Sequence, residues 1–159
     1  MDRLWSPWRL EYVTRGDTKP GCIFCNAAED SLIVHKGSLC YVILNLYPYN
    51  NGHLMVVPFR HVATLAALST EELQEIALLT QRSEAALNEA YQPHGINVGI
   101  NLGKPAGAGV LDHIHVHMVP RWNGDTNFMT VVGNMRVLPE DLGASASRLR
   151  PIFEKLSQV

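Results

Sequence analysis

The stretch Asp112-His-Ile-His-Val-His-Met-Val-Pro-Arg-Trp122 places histidines at alternate positions, with an apolar residue between neighbours. Strict alternation of polar and apolar residues is typical of a β-strand that buries one face. Side chains two residues apart share one face of a strand and are spaced by about 6.6 Å. The stretch therefore predicts a row of imidazoles from His113, His115 and His117, here named the histidine row, opposite an apolar core face. Pro120 lacks an N–H group to donate to a ladder and is expected to end the strand.

A row of imidazoles is compatible with three kinds of surface or site. It can be a solvated sheet face, a metal centre built from strand histidines, or a site for nucleophilic and acid–base chemistry. Neutral imidazole is a good nucleophile near neutral pH, and its conjugate acid can protonate a leaving group. The residues that precede the row favour this third interpretation.

Directly upstream lies the segment Asn101-Leu-Gly-Lys-Pro-Ala-Gly-Ala-Gly-Val110, here named the glycine loop. Its Gly103, Gly107 and Gly109 allow backbone N–H groups to come close to a ligand. Such groups of N–H donors bind anions, typically phosphate. A loop of this kind that leads straight into the histidine row indicates chemistry on a phosphorylated substrate.

Together these residues resemble the histidine triad (HIT) superfamily of nucleotide hydrolases and transferases. The shared pattern is His-x-His-x-His followed by hydrophobic residues, with an Asn-x-Gly-x-x-Ala-Gly loop before it, and the resemblance runs from about Leu4 to Leu142. Residues 45–58 and 119–128 are similar to the bacterial branch that contains diadenosine tetraphosphate phosphorylases. In one departure from the pattern, the segment from the loop to His113 is one residue longer than in most members.

The resemblance implies an α+β fold of the HIT type, with an antiparallel sheet of about five strands, one long helix and a C-terminal helix. Residues 1–159 are expected to form one domain, with an N-terminal arm over 1–20, a core over 21–142 and a C-terminal helical segment over 143–159. A chain of 159 residues can bury a sizeable single core.

Local patterns place the elements within this domain. Residues 39–46 and 53–58 are predicted to pair as a hairpin. Ser69-Thr-Glu-Glu72 is a capping-box pattern, which predicts a helix that ends near Tyr91. Residues 95–101 are predicted to lie next to the histidine strand, 129–138 to form an exchange or edge strand, and 144–157 to form a helix. The predicted apolar stripe of the long helix is Leu73, Ile76, Ala77, Thr80, Leu87 and Tyr91.

The resemblance also implies a role for each residue that matches the family pattern. His115 is the expected nucleophile on the α-phosphorus of an adenine dinucleotide, and His117 is expected to donate a proton to the leaving oxygen. His53 is expected to do no more than hydrogen-bond the histidine row. The expected substrate-binding residues are Asn45 at the ribose hydroxyls, Asn101 with Gly107 and Gly109 at the phosphate, and Trp122 beside the polyphosphate.

The pair Cys22-Ile-Phe-Cys25 could by itself be a redox pair, half of a metal site or a coincidence. A closed zinc site needs four ligands. In zinc-bearing members of the family the other two ligands match His61 and His113 here. The resemblance therefore implies a structural zinc ion on Cys22, Cys25, His61 and His113. Cys40 has no ligand spacing and is interpreted as a core thiol.

Charge and composition narrow the partners and the compartment. The net charge is −2, so no basic field recruits nucleic acid. No apolar run has the length of a membrane span, and the N-terminus lacks the apolar core of a signal peptide. Three cysteines, an odd number, fit a reducing compartment better than a disulfide framework. A cytoplasmic protein is predicted, and the family resemblance adds the expectation of a homodimer.

The second nucleophile decides the reaction class. Release of the nucleotide by water makes the enzyme a hydrolase, whereas release by inorganic phosphate makes it a phosphorylase, which the branch resemblance slightly favours. The substrate could be a dinucleoside polyphosphate, adenylyl sulfate or a nucleoside phosphoramidate, since each presents an α-phosphorus with a leaving group. Two other classes stay open: a catalytic metal on all three histidines with Asp112 or water, and a nucleotide-binding adaptor with little catalysis.

Overall fold

The computed structural model describes residues 21–27, 31–126 and 138–158. Within these residues, five strands form one antiparallel sheet, and two helices pack on it. This is the predicted α+β fold, with one long helix and a C-terminal helix. The elements are β1 (Ile33–Lys36), β2 (Cys40–Leu44), β3 (Leu54–Pro58), α1 (Thr70–Tyr91), β4 (Gly95–Ile100), β5 (Val116–Arg121) and α2 (Leu142–Leu156). The order of strands in the sheet is β1-β2-β3-β5-β4.

The two faces of the sheet are covered differently. On one face α1 and α2 contact the sheet, and Val116, Met118 and Ile114 join this larger core, as the alternation predicts. A smaller apolar cluster, centred on Phe24, Tyr41 and Met55, contains residues of β1, β2 and β3 that alternate with those of the larger core. The sheet therefore separates the packed helices from the face that carries the histidine row.

Helix α1 begins where the capping box predicts. Ser69 Oγ accepts a hydrogen bond from the Glu72 N–H at 3.2 Å, and the Glu72 carboxylate accepts one from the Ser69 N–H at 2.7 Å. The same carboxylate accepts hydrogen bonds from Arg60 at 2.8 and 2.5 Å. The Arg60 guanidinium, helped by the Ser69 N–H, lowers the pKa of Glu72 to about 2. One side chain thus caps the helix and fixes the residue before His61.

The predicted apolar stripe of α1 is wrong at two positions. Leu73 and Ala77 are exposed, whereas Leu79, Ser83 and Ala86 are buried. Helical periodicity identifies an amphipathic helix, but the facing sheet selects which side is buried. Ser83 and Ala86 are small, so they allow the helix to approach the sheet closely, but they lack the large apolar side chains by which a buried helix face is recognised in a sequence.

The strand carrying His117 is shifted towards the C-terminus relative to the prediction. β5 begins at Val116. Before it, the Ile114 N–H donates to the carbonyl of Val62, a residue that follows the end of β3 and is not part of the sheet. β5 also continues through Pro120 to Arg121, so the expectation that Pro120 ends the strand is wrong. The Pro120 carbonyl accepts a hydrogen bond from the Asn50 side chain, so it points away from β4. In a strand, the backbone nitrogen and carbonyl of one residue point to the same side. The missing donor therefore faces away from β4 and breaks no ladder bond.

Other predicted elements are confirmed with small changes. β2 and β3 pair as a hairpin, β4 lies beside β5, and α2 begins after Asp141, whose side chain accepts from the Ala144 N–H. β1 was not predicted, because four residues carry too little alternation. The predicted arm over 1–20 and most of the predicted strand over 129–138 lie outside the described residues, and the division into arm, core and C-terminal segment stays a prediction. None of the helices in the described part of the chain has the length and hydrophobicity of a membrane span.

Candidate active site and metal centre

His115 and His117 lie side by side at the start of β5. Their ring centroids are 4.7 Å apart, and the rings are nearly perpendicular. His115 is only 6% exposed, whereas His117 is half-buried. The histidine row is therefore not a solvated sheet face.

The tautomer of His115 follows from its hydrogen bond. Nδ1 lies 2.9 Å from the His113 carbonyl oxygen, which can only accept, so Nδ1 carries the proton. Burial lowers the pKa of His115, which favours the neutral ring. The Nε2 atom of a neutral, Nδ1-protonated imidazole has a free lone pair. His115 is thus held in the form that acts as a nucleophile.

A second chain of hydrogen bonds fixes His117. His53 is fully buried, and this burial is the main reason that its pKa falls to about 3. The neighbouring His117 and His115 lower the pKa further. Its Nδ1 accepts from the Tyr49 N–H at 3.1 Å, so its proton is on Nε2, which lies 3.0 Å from His117 Nδ1. His117 Nδ1 is the acceptor of that bond, and its own proton is on Nε2. The expected hydrogen bond from His53 to the histidine row is confirmed. Because this bond occupies Nδ1 of His117, the N–H donor of His117 is Nε2, on the other side of the ring.

The turn before His53 requires a glycine. Gly52 has a φ of +72°, and a Cβ atom there would come within 2.8 Å of the Tyr91 ring. The Tyr91 hydroxyl donates to Glu140 at 2.7 Å, and Arg148 also bonds that carboxylate. Tyr91, the last residue of α1, is held by Glu140 and packs against the backbone next to His53.

We expect Gly52→Ala to lower the free energy of unfolding by about 2–4 kcal/mol, because it adds a steric clash to an unfavourable φ. Turnover should fall as well, since the clash displaces the residue next to His53. Gly124→Ala is the matched control: Gly124 has a φ of +81°, but nothing lies within 4 Å of its added Cβ. Urea unfolding of both variants separates the cost of the clash with Tyr91, which only Gly52→Ala should show, from the cost of a positive φ at alanine, which both variants share. Equal losses in the two variants would contradict the contact with Tyr91.

Two cysteines and two histidines converge beside the row. Cys22 Sγ lies 3.3 Å from His113 Nδ1, Cys25 Sγ lies 3.3 Å from His61 Nδ1, and all four donor atoms fall within 4.8 Å of one another. Ligands at ordinary zinc–sulfur and zinc–nitrogen distances around a tetrahedral centre are separated by roughly 3.5 Å. The arrangement is therefore able to hold a metal ion, and it contains the four residues that the sequence named.

The surroundings of these donors also suit a metal. His113 Nε2 donates to the Pro58 carbonyl at 2.8 Å, which leaves the Nδ1 lone pair directed at the thiols. Burial and the neighbouring Cys22 thiol raise the pKa of Cys25, so two thiolates would need a cation to share their charge. His115 and His117 use their Nδ1 atoms for other bonds and do not belong to this group. Within the described residues, His113 alone of the histidine row belongs to a group of at least three metal-donor side chains, so the geometry favours a metal on this Cys/His group over one on all three histidines.

Phe24, between the two cysteines, links the Cys/His group to His115. Its ring centroid is 4.9 Å from that of His115 and 5.5 Å from that of His113. The Tyr41 hydroxyl donates to the Phe24 carbonyl at 2.8 Å. The Cys-x-x-Cys turn thus covers the His115 ring as well as supplying two sulfur atoms. This role of Phe24 has no periodic signal in the sequence and could not be predicted from it.

The glycine loop lies at the end of β4. Gly103 and Gly107 have φ values of +84° and +93°, and the loop between them forms one turn of 3₁₀ helix. The side chain of Asn101 donates to the Gly107 carbonyl at 3.3 Å, so it braces the loop in this structure. Gly109 is exposed. Asn45, at the end of β2, accepts from the Tyr47 N–H and has its amide nitrogen 3.4 Å from His53 Nδ1.

Trp122 follows β5 in a turn organised by Asp125. The Asp125 carboxylate accepts hydrogen bonds from Arg121 at 2.6 and 2.9 Å, from Asn50 at 2.8 Å and from the Trp122 N–H at 3.3 Å. These donors, Arg121 above all, hold the pKa of Asp125 far below its ordinary value. Trp122 is half-buried. The Asn50–Asp125 contact, which leaves no local signal in the sequence, joins this turn to the loop that precedes His53.

A family model of the HIT domain matches residues 26–124. The chain belongs to the HIT domain family. This HIT chain is 42% identical to an AP-4-A phosphorylase of Mycobacterium tuberculosis over 152 residues, which cover 88% of this chain and 78% of the relative. It is 32% identical to a bis(5'-adenosyl)-triphosphatase of Dictyostelium discoideum over 133 residues, or 80% of this chain and 89% of the relative.

A solved structure supports the HIT fold independently. The crystal structure of a Zn-bound histidine triad family protein from Mycobacterium smegmatis matches with a TM-score of 0.71 at 31% identity. The match covers 87% of this HIT chain and 96% of the other. The resemblance inferred from the motifs is thereby confirmed, together with the fold that it implied.

Proposed function

We propose that this HIT protein cleaves diadenosine polyphosphates, or related adenine nucleotides, at the α-phosphorus through a nucleotidyl-histidine intermediate. The observation that carries the proposal is the lone pair on His115 Nε2, which the bond from Nδ1 to the His113 carbonyl leaves available. The substrate class is supported by the similarity to an AP-4-A phosphorylase and a bis(5'-adenosyl)-triphosphatase.

In the first step, His115 Nε2 attacks the α-phosphorus, and the N–P bond forms as the bond to the bridging oxygen breaks. The leaving oxygen keeps the bonding electrons and accepts a hydrogen bond from the Nε2–H of His117. A polyphosphate is a weakly basic leaving group, so a neutral imidazole donor suffices to stabilise its charge.

In the second step, an oxygen nucleophile attacks the same phosphorus, and the N–P electron pair returns to His115. Attack by water, which releases a proton, gives AMP, whereas attack by inorganic phosphate gives ADP. Burial of His115 and the ring of Phe24 above it limit the access of water to the intermediate.

The remaining residues position the substrate in this proposal. The roles follow the family pattern at the matching positions. They are Asn45 at the ribose hydroxyls, Asn101 with the backbone of Gly107 and Gly109 at the phosphate, and Trp122 beside the polyphosphate.

Zinc is the proposed resident metal, held by Cys22, Cys25, His61 and His113. Bound zinc supplies a cross-link between the Cys-x-x-Cys turn and the histidine row, not a reactive centre. The His113 carbonyl accepts a hydrogen bond from the Nδ1–H group of His115, so a fixed His113 also fixes the ring that attacks. Free thiols that serve as ligands fit a reducing compartment, and a cytoplasmic location is part of the proposal.

The edge strand β4 supports the proposed homodimer. It lies at one end of the sheet order, and Val98 within it is 54% exposed. An exposed apolar edge strand is a surface on which a second chain can pair. Sedimentation analysis of the wild-type chain and of Val98→Lys tests this, and we expect the variant to shift towards the monomer.

The product mixture from diadenosine tetraphosphate tests the reaction class. With inorganic phosphate we expect ATP and ADP, and with labelled phosphate we expect the label in ADP. The 42% identity to an AP-4-A phosphorylase favours this outcome over hydrolysis, which would give ATP and AMP whether or not phosphate is present. Tight binding without any product would contradict catalysis and favour a nucleotide-binding adaptor.

A further inference from the structure

An aromatic side chain flanks the hydrogen-bond donor of the site. Tyr49 lies in residues 45–53, between β2 and β3, here named the tyrosine loop. Its ring centroid is 4.8 Å from that of His53 and 6.1 Å from that of His117, with 30° between the Tyr49 and His117 planes. The side chain is nevertheless 37% exposed. One part of the ring thus packs on the histidines while another part stays accessible.

The backbone around Tyr49 is held on both sides. Its own N–H donates to buried His53, and the next residue, Asn50, donates to Asp125 at 2.8 Å and to the Pro120 carbonyl at 2.9 Å. Asn50 is only 7% exposed. An accessible aromatic ring on a backbone fixed in this way loses little conformational freedom when it binds a ligand.

The chemistry of the loop indicates which part of a substrate it can contact. The tyrosine loop, Asn45-Leu-Tyr-Pro-Tyr-Asn-Asn-Gly-His53, contains no lysine or arginine. It is therefore poorly suited to a polyphosphate, which proteins bind with cations and N–H groups. A flat aromatic ring instead suits the face of a nucleobase, which stacks on such side chains with little dependence on sequence.

The proposed reaction places this ring on the side of the leaving group. In an in-line displacement the leaving oxygen lies opposite the attacking atom. His115 attacks and His117 contacts the leaving oxygen, so the departing chain passes His117 and the Tyr49 ring beside it. We propose that Tyr49 forms a stacking surface for the nucleobase of the leaving nucleotide, which makes it a specificity residue for substrates with two bases. This inference rests on the proposed function.

Two substrates that differ only in the second nucleoside test the inference. Diadenosine tetraphosphate releases ATP, whereas adenosine 5'-tetraphosphate releases inorganic triphosphate from the same α-phosphorus. We expect Tyr49→Ala to lower kcat/KM for the dinucleotide by about 10- to 100-fold, as for other base–aromatic stacks, and to leave that for adenosine tetraphosphate within about twofold. Tyr49→Phe, which keeps the ring, should retain the wild-type preference.

Equal losses for the two substrates would mean that Tyr49 only supports the histidines, and unchanged kinetics would mean that the ring is not used; either result overturns the inference. Tyr47→Ala, in the same loop and 48% exposed, is the matched control and should not reproduce the selective loss. Failure of the proposed function is recognised separately, because the wild type would then turn over neither substrate. In that case, calorimetric titration of both compounds into His115→Asn, with and without Tyr49→Ala, still measures the stacking surface: weaker binding of the dinucleotide alone supports it, and any other result overturns it.

Discussion

His115→Ala should abolish turnover of diadenosine tetraphosphate, with a loss well beyond the ~10²–10⁴-fold typical of removing a general acid or base. The reason is that the variant lacks the atom that bonds to phosphorus, so the two-step route is closed. Rapid quenching should trap a nucleotidyl adduct on the wild-type protein and none on the variant. Steady-state kinetics and intact-protein mass spectrometry make both measurements.

A second substitution separates this chemistry from folding. His115→Asn keeps a side-chain N–H near the His113 carbonyl, so it preserves that bond better than alanine does, yet it lacks the nucleophilic nitrogen. We expect it to be as inactive as His115→Ala with a higher stability. His35→Gln, at the opposite end of the sheet and stacked on Phe153, should keep its turnover. Substantial activity in His115→Asn, or an adduct on it, would show that another residue is the nucleophile.

After removal of His115, we expect the largest effect from loss of the metal site, and we expect it to lower the stability of the fold before it lowers turnover. We expect Cys22→Ser to lose bound zinc and to lower the free energy of unfolding by at least about 3 kcal/mol, which for a chain of this length lowers Tm by about 6–12 °C. The four donor atoms lie within 4.8 Å of one another and come from segments that are far apart in the sequence, so a bound ion would cross-link the fold. Elemental analysis and calorimetry measure metal content and Tm.

Two comparisons make this result specific. Cys40→Ala also removes a buried thiol, but one whose pKa burial raises to about 12 and which lies outside the metal group, so it should lower Tm without changing the zinc content. Added chelator should reduce turnover of the wild type only as the structure loosens. Immediate loss of turnover at an unchanged Tm would favour a catalytic metal, and zinc retained by Cys22→Ser would remove Cys22 from the site.

Local sequence patterns were sufficient to predict the features that depend only on residues close together in the chain. The capping box at Ser69 fixed the start of α1, because both of its hydrogen bonds join residues three apart. The alternation in the histidine row predicted which side chains share a face of the strand, because side chains two residues apart lie on the same face whichever strand pairs with it. The same pattern could not fix where β5 begins or ends, because strand pairing is decided by the segments that reach the Ile114 and Pro120 backbone.

The amino-acid sequence by itself, read through its motifs, determined the family, the α+β fold with its two helices, and the four members of the Cys/His group that is able to hold a metal. Only the tertiary structure decided the protonation pattern of the site, because it depends on contacts between residues far apart in the chain. His53 meets His117 across 64 positions, and Asn50 meets Asp125 across 75. No local periodicity records such contacts. Which imidazole nitrogen holds a proton, and which aromatic ring lies beside it, follows from the folded arrangement alone.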